Sequence, residues 1–402
     1  MDADVVVIGA GALGLSTALH AALAGRSVTI IERDTAGSQA SGRAAGLFKS
    51  VQADQLRTVL ARRSIDRARS FEAWAGVPLT VAGSGSFLIA RTSAHKQYLQ
   101  QEQRQSQAWG VDVQDAAGPV LSYYHGDASE LALWCPEDIY IEEPADLVRA
   151  YAAAARRHGA QLLEHEAAIG ITLSGGRVTG VETANQTITT PVVVDAAGAW
   201  VRQVAGLAGG RVAVAPVRHQ LLITERSAGV NGADPIVRVV DAAVYLRPAR
   251  GGLMVGGFEA APLAVDPRAE HPSFRTEDLE LDLGVLRKLT APVAAEAPLA
   301  ADAPVVEHRG GLFTMSPDGR FIAGPLPDVP GLWVASGCNG SGFSSSLGIG
   351  EALAGWICAI PGRLDISALS PGRFGPLTDE ALIDAGMWQY AHYYDPGPDG
   401  SA

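Results

Sequence analysis

Gly9, Gly11 and Gly14 follow directly on the β-branched run Val5-Val6-Val7-Ile8, and an Ala- and Leu-rich stretch follows them. At such a junction a side chain is an obstacle. The spacing predicts a tight turn at Gly9, close backbone approach to a pyrophosphate at Gly11, and close helix-to-strand packing at Gly14. The helix start adds unpaired N–H groups and the positive end of a dipole, both suited to an anion. Glu32 ends the next β-branched run, residues 27–31, where a carboxylate accepts hydrogen bonds from ribose hydroxyls and disfavours a 2′-phosphate. Glycines alone would suit a plain turn. Strand, helix and acid together read as an adenine-dinucleotide site.

The elements that must position these residues form a βαβ unit: a buried strand, a helix over residues 13–24 stopped by Gly25, and a second strand ending at Glu32. Residues 52–75 carry apolar side chains at helical spacing, 86–90 read as a strand, 93–109 as a polar helix and 143–158 as an Ala-rich helix. Residues 161–164, 177–182 and 187–189 read as strands of a small sheet. Val192-Val193-Val194-Asp195-Ala196-Ala197-Gly198 is a further buried strand running into a glycine turn. A parallel strand returning so late implies a discontinuous cofactor domain. Residues 212–224, 237–247 and 252–258 are strand-rich and are expected to form a second sheet over the cofactor. The expected division is 1–85, 145–212 and 309–370 for the cofactor domain, 86–144 and 213–308 for a substrate domain, and 371–402 for a C-terminal tail.

A length of 402 residues suggests two domains, and 47% hydrophobic against 18% charged residues excludes a disordered chain. The net charge of −12, with no Lys/Arg run, argues against nucleic acid and for a small-molecule substrate. Three scattered cysteines, Cys135, Cys338 and Cys358, suggest neither a disulfide framework nor a zinc ribbon, and no histidine pair has metal-ligand spacing. No metal is expected. The apolar segment 5–25 has acidic rather than basic flanks and turn glycines, so it reads as neither signal peptide nor membrane span, and a cytoplasmic location is expected.

Four places carry a family resemblance: the glycine fingerprint with Glu32; Ser38-Gln39-Ala40-Ser41-Gly42-Arg43-Ala44-Ala45-Gly46; Val194-Asp195-Ala196-Ala197-Gly198-Ala199-Trp200; and the stretch from Ser316-Pro317-Asp318-Gly319 to Cys338-Asn339-Gly340-Ser341-Gly342-Phe343. Along nearly its whole length the chain resembles the D-amino-acid oxidase superfamily, in its sarcosine oxidase, glycine oxidase and dimethylglycine dehydrogenase branch. The resemblance implies an α/β plus α+β fold: a Rossmann-type, glutathione-reductase-like FAD-binding domain with an antiparallel-sheet substrate domain. It implies FAD held by Gly9, Gly11, Ala12, Leu13, Gly14, Glu32 and Arg33. The loop Ser41, Gly42, Arg43, Ala44, Ala45, Gly46 and Leu47 would lie beside the isoalloxazine, where backbone N–H groups stabilise negative charge on a reduced flavin. Ala168, Ala196, Ala197, Gly198 and Trp200, then Gly311 and finally Gly340, Ser341, Gly342, Phe343 and Ser344, complete the implied cofactor set.

Departures from the family pattern are as informative. The cysteine that holds flavin covalently in monomeric sarcosine oxidases falls on Gly311, and the attaching histidine of dimethylglycine dehydrogenases falls on Arg43, so noncovalent FAD is expected. The carboxylate-gripping Arg of glycine oxidases falls on Phe313, and the corresponding Lys of sarcosine oxidases on Ser344. Met254 replaces the lysine that faces flavin in sarcosine oxidases, which weakens the expectation of fast oxygen chemistry.

The implied reaction is oxidation of a C–N bond in a primary or N-alkylated amine or amino acid to an imine, by hydride transfer to flavin N5 and then hydrolysis. Oxygen or another acceptor takes the electrons. Lys49, His219, Tyr245, Arg247 and His308 are the polar candidates near the flavin-facing strands and loops. Lys49 and Arg247 suit a replacement carboxylate grip, or equally a surface lysine and a structural ion pair. His219 and His308 suit proton chemistry or packing, and Tyr245 suits the core or the site. Two alternatives stand beside this reading: a flavin subunit of a hetero-oligomeric amine or opine dehydrogenase, and a 2-hydroxy-acid dehydrogenase. The aromatic tail Trp388, Tyr390, Tyr393 and Tyr394 suits docking of a partner subunit or packing on its own domain, and a homo-oligomer is equally open. The folate-binding extension of dimethylglycine dehydrogenases is absent from this sequence, so formaldehyde capture is not expected.

Overall fold

The computed structural model describes residues 2–127 and 129–395. Val5–Ile8 (β1) is buried along its length, Ala12–Leu23 (α1) follows, and Val28–Ile31 (β2) returns parallel with Val28 opposite Val5. Six strands make this first sheet, in the order Ile322–Pro325, Leu332–Ser336, Val193–Asp195, β1, β2, Gln161–Leu163. All pairs are parallel except the edge strand Ile322–Pro325. Successive side chains of a strand point to opposite faces, and β1 feeds two cores accordingly. Val5 and Val7 pack with α1 and the helices Pro144–Arg157 and Ser346–Ile357. Val6 and Ile8 pack against a three-stranded antiparallel sheet, Ala168–Ser174, Arg177–Thr183 and Thr187–Thr189, and the short helix Val201–Gly206.

The second sheet has eight strands, in the order Val305–Met315, Ala215–Thr224, Gly252–Gly257, Val244–Ala249, Ile236–Val239, Ser86–Ala90, Leu131–Cys135, Gln114–Ala116. Only Ile236–Val239 and Ser86–Ala90 run parallel; the other neighbours are antiparallel. Residues 305–315 therefore pair within the large sheet. The helix Asp379–Ala391 lies on it through Gly386, where a Cβ would stand 2.6 Å from the Ala215 Cβ. Among the described residues no helix is long and apolar enough to cross a membrane.

Several elements differ from the sequence reading for local reasons. The helix expected over 52–75 starts at Gln55, because the Asp54 carboxylate accepts from Arg57 N, and breaks at Ser70 into Gln55–Arg69 and Phe71–Ala75. Gln161–Leu163, expected in the small sheet, joins the first sheet beside β2, and Ala168–Ser174, not read as a strand in the sequence, stands in the small sheet instead. The run 237–247 is a hairpin, Ile236–Val239 and Val244–Ala249, turned at Ala243 with φ of 53°.

The contact between α1 and Ser346–Ile357 tolerates no side chain at Gly350, where a Cβ would stand 2.2 Å from Ser16 Oγ and 2.7 Å from Ser16 backbone carbon. Gly350→Val should lower the unfolding free energy by about 1–3 kcal/mol, as overpacking of a closed interior does. Urea denaturation checks this, and unchanged stability would show that the helix moves aside without cost.

Candidate active site

A cavity of about 410 Å³ runs from the carboxyl ends of β1 and β2 to the face of the large sheet. Its first end is built from backbone. Gly9 has φ of +103°, a region open to glycine, and a Cβ there would meet Ala196 O at 2.5 Å. Gly11 caps α1, and a Cβ on it would stand 3.1 Å from Ser41 Oγ, which accepts from Ala12 N at 3.0 Å. Gly11, Ala12 and Leu13 line the cavity; Gly14 stands behind them, where a Cβ would be 2.0 Å from Gly9 O. The Glu32 carboxylate reaches the same space while accepting from Ala10 N at 2.8 Å and Asp34 N at 2.9 Å, and burial pushes its pKa up. Arg33 lies 4.6 Å from the centre of the Trp200 ring, and both line this end with Ala168, Ala196, Ala197 and Gly198.

The loop 41–47 forms the middle of the wall. Ser41, Arg43, Ala44, Ala45, Gly46 and Leu47 face the cavity, while Gly42 packs outside it, a Cβ there falling 2.4 Å from Gly37 O. Gly46 has φ of +74° and leaves no room for a Cβ, which would be 2.1 Å from Ile141 O. Arg43 Nε donates to Gly310 O at 2.8 Å, and the neighbouring Gly311 faces Ala40. Gly340, Ser341, Gly342, Phe343 and Ser344 supply the facing wall just before the helix Ser346–Ile357. Two polar atoms on cavity-lining residues, Ser336 Oγ and Arg309 Nε, are buried without a protein partner.

The far end is aromatic. His219 is held between two phenols, with Nδ1 2.8 Å from the Tyr390 hydroxyl and Nε2 2.8 Å from the Tyr245 hydroxyl. Phe313 stacks on its ring at 4.3 Å, and Tyr393 stacks on Phe258 at 3.9 Å. Burial drives the His219 pKa down to about 3 and pushes that of Tyr245 up, so both are neutral near pH 7. Lys49 also lines this end, its Nζ 3.9 Å from Glu102 and 5.9 Å from the centre of the Tyr394 ring.

Of the five polar residues singled out in the sequence, the structure brings Lys49, His219 and Tyr245 to the cavity and leaves Arg247 and His308 outside it. Arg247 is fully buried and donates to three carbonyls, Ala45 O at 2.9 Å, Pro248 O at 2.7 Å and Glu142 O at 2.9 Å, while stacking on Tyr140. It pins the 41–47 loop from beneath. His308 pairs opposite Leu222 and bonds Gln220 at 3.0 Å, whereas His219 pairs opposite Gly311; the two histidines occupy different faces of the sheet. Met254 is sealed with Leu221, Ile223 and Ala249, and Ala45 packs against that cluster. Arg238, Phe258, Tyr393 and Tyr394 line the cavity without having been foreseen as its wall. The signal for Arg238 was its register: it pairs directly opposite Tyr245.

The chain matches the family model described as FAD dependent oxidoreductase over residues 4–356. It is 30% identical over 399 residues to the mitochondrial sarcosine dehydrogenase of Homo sapiens, covering 96% of this chain and 42% of that protein. It is 30% identical over 387 residues to the 4-methylaminobutanoate oxidase (formaldehyde-forming) of Paenarthrobacter nicotinovorans, covering 92% of this chain and 45% of that one. The chain thus spans less than half the length of these curated relatives. L-Proline dehydrogenase from P. horikoshii shares the fold, with a TM-score of 0.82 at 22% identity over 93% of this chain and 98% of that one.

An imidazole whose folded pKa of about 3 lies below the unfolded 6.5 gains its proton only on unfolding between those values. Its contribution to stability is therefore complete above about pH 6.5 and is lost as the pH falls toward 3. Between pH 6.5 and 5 the loss is about 2 kcal/mol. His219→Asn should flatten the pH dependence of urea unfolding over that window by this amount, and an unaltered slope would show that His219 is solvated or charged in the fold.

Proposed function

The chain belongs to the family of FAD dependent oxidoreductases, and we propose that it oxidises the C–N bond of a small amine or amino acid, primary or N-alkylated, to an imine that water hydrolyses. The observation that carries this is the neutral His219–Tyr245 pair, set in an aromatic pocket at the end of a cavity whose other end is glycine and backbone. The names of the relatives, a sarcosine dehydrogenase and a 4-methylaminobutanoate oxidase, support an amine substrate.

The residues present fit FAD. The space left by Gly9 and Gly11 at the start of α1 suits a pyrophosphate, and Glu32 stands at the strand end that suits a ribose. Among the described residues Ser336 Oγ and Arg309 Nε, on side chains that line the cavity, are buried with no hydrogen-bond partner, which is the kind of gap that a polar group fills when these side chains shift. When bound, FAD supplies the two-electron acceptor. Gly311 and Arg43 offer no attaching nucleophile, which supports noncovalent binding; Cys338 lines the cavity as well.

The protein's own part is binding and proton placement. A neutral imidazole donates from one nitrogen and accepts at the other, so His219 fixes the Tyr245 hydroxyl in one orientation through Nε2 and is itself fixed by Tyr390 through Nδ1. Tyr245 stays a phenol because burial raises its pKa. It therefore orients an amine through a hydrogen bond and does not take a full proton from an ammonium. The aromatic walls, Phe258, Phe313 and Tyr393, limit water at this end, and the Lys49 ammonium on the same wall opposes a second positive charge. The free base is the species admitted.

It follows that kcat/KM for anaerobic reduction of the bound colour rises with pH, about tenfold per unit below the pKa of the substrate amine, and follows the substrate when amines of different pKa are compared. Stopped-flow bleaching with amino acids, N-methyl amines and hydroxy acids reads this directly, and bleaching by hydroxy acids alone would overturn the amine reading. Tyr245→Phe should lower kcat/KM by roughly 10- to 100-fold at unchanged FAD content. Acid precipitation should leave the yellow colour in solution; colour held in the pellet would point to Cys338 and overturn noncovalent binding.

A further inference from the structure

We propose that Arg238 carries the carboxylate grip of this site, and that the substrates are amines bearing a carboxylate; the substrate class rests on the amine reading above, the grip on the geometry of Arg238. Three of the positions first considered for a grip supply none, and the fourth, Lys49, brings a single charge without a fork. Phe313 is an aromatic wall, Ser344 Oγ donates to Ser341 O at 3.0 Å, and all three guanidinium nitrogens of Arg247 are engaged by carbonyls.

Arg238 differs from these in one decisive respect: part of its fork is unused. It lies in Ile236–Val239 directly opposite Tyr245, so the two side chains share a face of the sheet, and both line the cavity. Its side chain is only 4% exposed. Nη1 meets Asp138 Oδ2 at 3.1 Å. Asp138 is itself saturated: Oδ1 accepts from Ser50 N at 2.7 Å and Ser50 Oγ at 2.6 Å, and Oδ2 also accepts from Ser86 Oγ at 2.6 Å. The carboxylate thus spreads its charge over four donors and holds the guanidinium by one corner.

Among the described residues Nε and Nη2 of Arg238 bond no protein atom, and neither is among the sealed, partnerless atoms. The residue itself lines the cavity. This Nε–Nη2 edge is the one by which Arg62 grips Glu137, at 2.7 and 2.9 Å, and Arg63 grips Glu351, at 2.7 Å twice. The same edge, buried and unspent beside Tyr245, fits a carboxylate side-on. Among the described residues Lys49 Nζ on the same wall has no hydrogen-bond acceptor and only the longer 3.9 Å approach to Glu102, so it adds a second positive charge to this end. With the carboxylate on Arg238 and the amine at the neighbouring Tyr245 hydroxyl, the two groups of the substrate are separated by a short spacer.

The test is a titration of the yellow holoenzyme with butanoate and with butanamide, read as the change in visible flavin absorbance. The wild type should bind butanoate at least roughly tenfold more tightly than butanamide. Arg238→Lys keeps a charge for Asp138 but cannot fork, and should weaken butanoate by roughly 10- to 100-fold while leaving butanamide unaffected at the same FAD content. If that variant loses FAD, Arg238→Met with Asp138→Asn removes both buried charges together and serves the same comparison. Equal binding of the two compounds by the wild type, or an undiminished butanoate affinity in the variants, overturns the grip, even where amines bleach the flavin. A butanoate preference that falls in the variants, in a protein bleached by no amine, upholds the grip and removes the oxidation reading instead.

Discussion

Helix α1 reaches the cavity only because its contacts on two sides lack side chains. On the strand side a Cβ at Gly14 would lie 2.0 Å from Gly9 O; on the helix side a Cβ at Gly350 would lie 2.2 Å from Ser16 Oγ. Each contact alone sets one distance, and together they clamp the helix between β1 and Ser346–Ile357. The N–H groups of its first turn are then presented at a fixed height above the strand ends, where Glu32 and the 41–47 loop converge. Outward movement of α1 by the width of a methyl group would separate Ala12 N from Ser41 Oγ and so release the loop as well. The backbone end of the cavity is in this sense a packing problem solved before any polar contact is made.

The large sheet meets the opposite difficulty, since it buries charge. Arg238 with Asp138 and Arg218 with Glu259 lie almost wholly inside, and burying such pairs returns little net stability compared with apolar residues of the same size. What they provide is direction. Arg218 and Gln220 hold Glu259, Gln220 also holds His308, and Asp138 is fixed by two serines from separate segments. A donor secured from behind in this way points one way without help from a ligand, which is the condition for recognising a small polar group at low entropic cost. His219 follows the same logic with no charge at all, because two phenols leave its ring no freedom to turn.

The first sheet was legible in the sequence because its rules are local. β-Branched runs, glycines at a turn and an acid at a strand end each act through near neighbours, and its three central strands fell within a residue or two of the expected places, whereas Ile322–Pro325 and Leu332–Ser336 were not foreseen and Gln161–Leu163 was expected in the small sheet. The cavity's polar end was only partly legible because it depends on pairing between distant strands. Strand alternation places Tyr245 and Arg247 on one face, yet it gives no sign of where along the strand the cavity stops; the 41–47 loop crosses between them and claims Arg247 for Ala45 O. Arg238 could be placed beside Tyr245 only once the hairpin through Ala243 was known, and the sequence there reads as one continuous strand. The strand Val305–Met315 also escaped notice, although it runs the length of Ala215–Thr224, because its alternation is broken by Gly310 and Gly311.

The aromatic wall joins the extremes of the chain. Tyr390 fixes His219, Tyr393 lies flat on Phe258, and the Tyr394 ring faces Lys49, so three tyrosines within five residues of the C-terminal segment complete a pocket whose other residues come from the large sheet and the 41–52 region. Of the four aromatic residues in that segment only Trp388 is half exposed; Tyr390 is fully buried and Tyr394 nearly so. Aromatic packing of this extent is a core, and its loss would open the pocket to water and return His219 to an ordinary imidazole. The neutrality of the histidine, the orientation of Tyr245 and the preference proposed for an uncharged amine therefore depend on how the helix Asp379–Ala391 and the residues just after it dock on the large sheet.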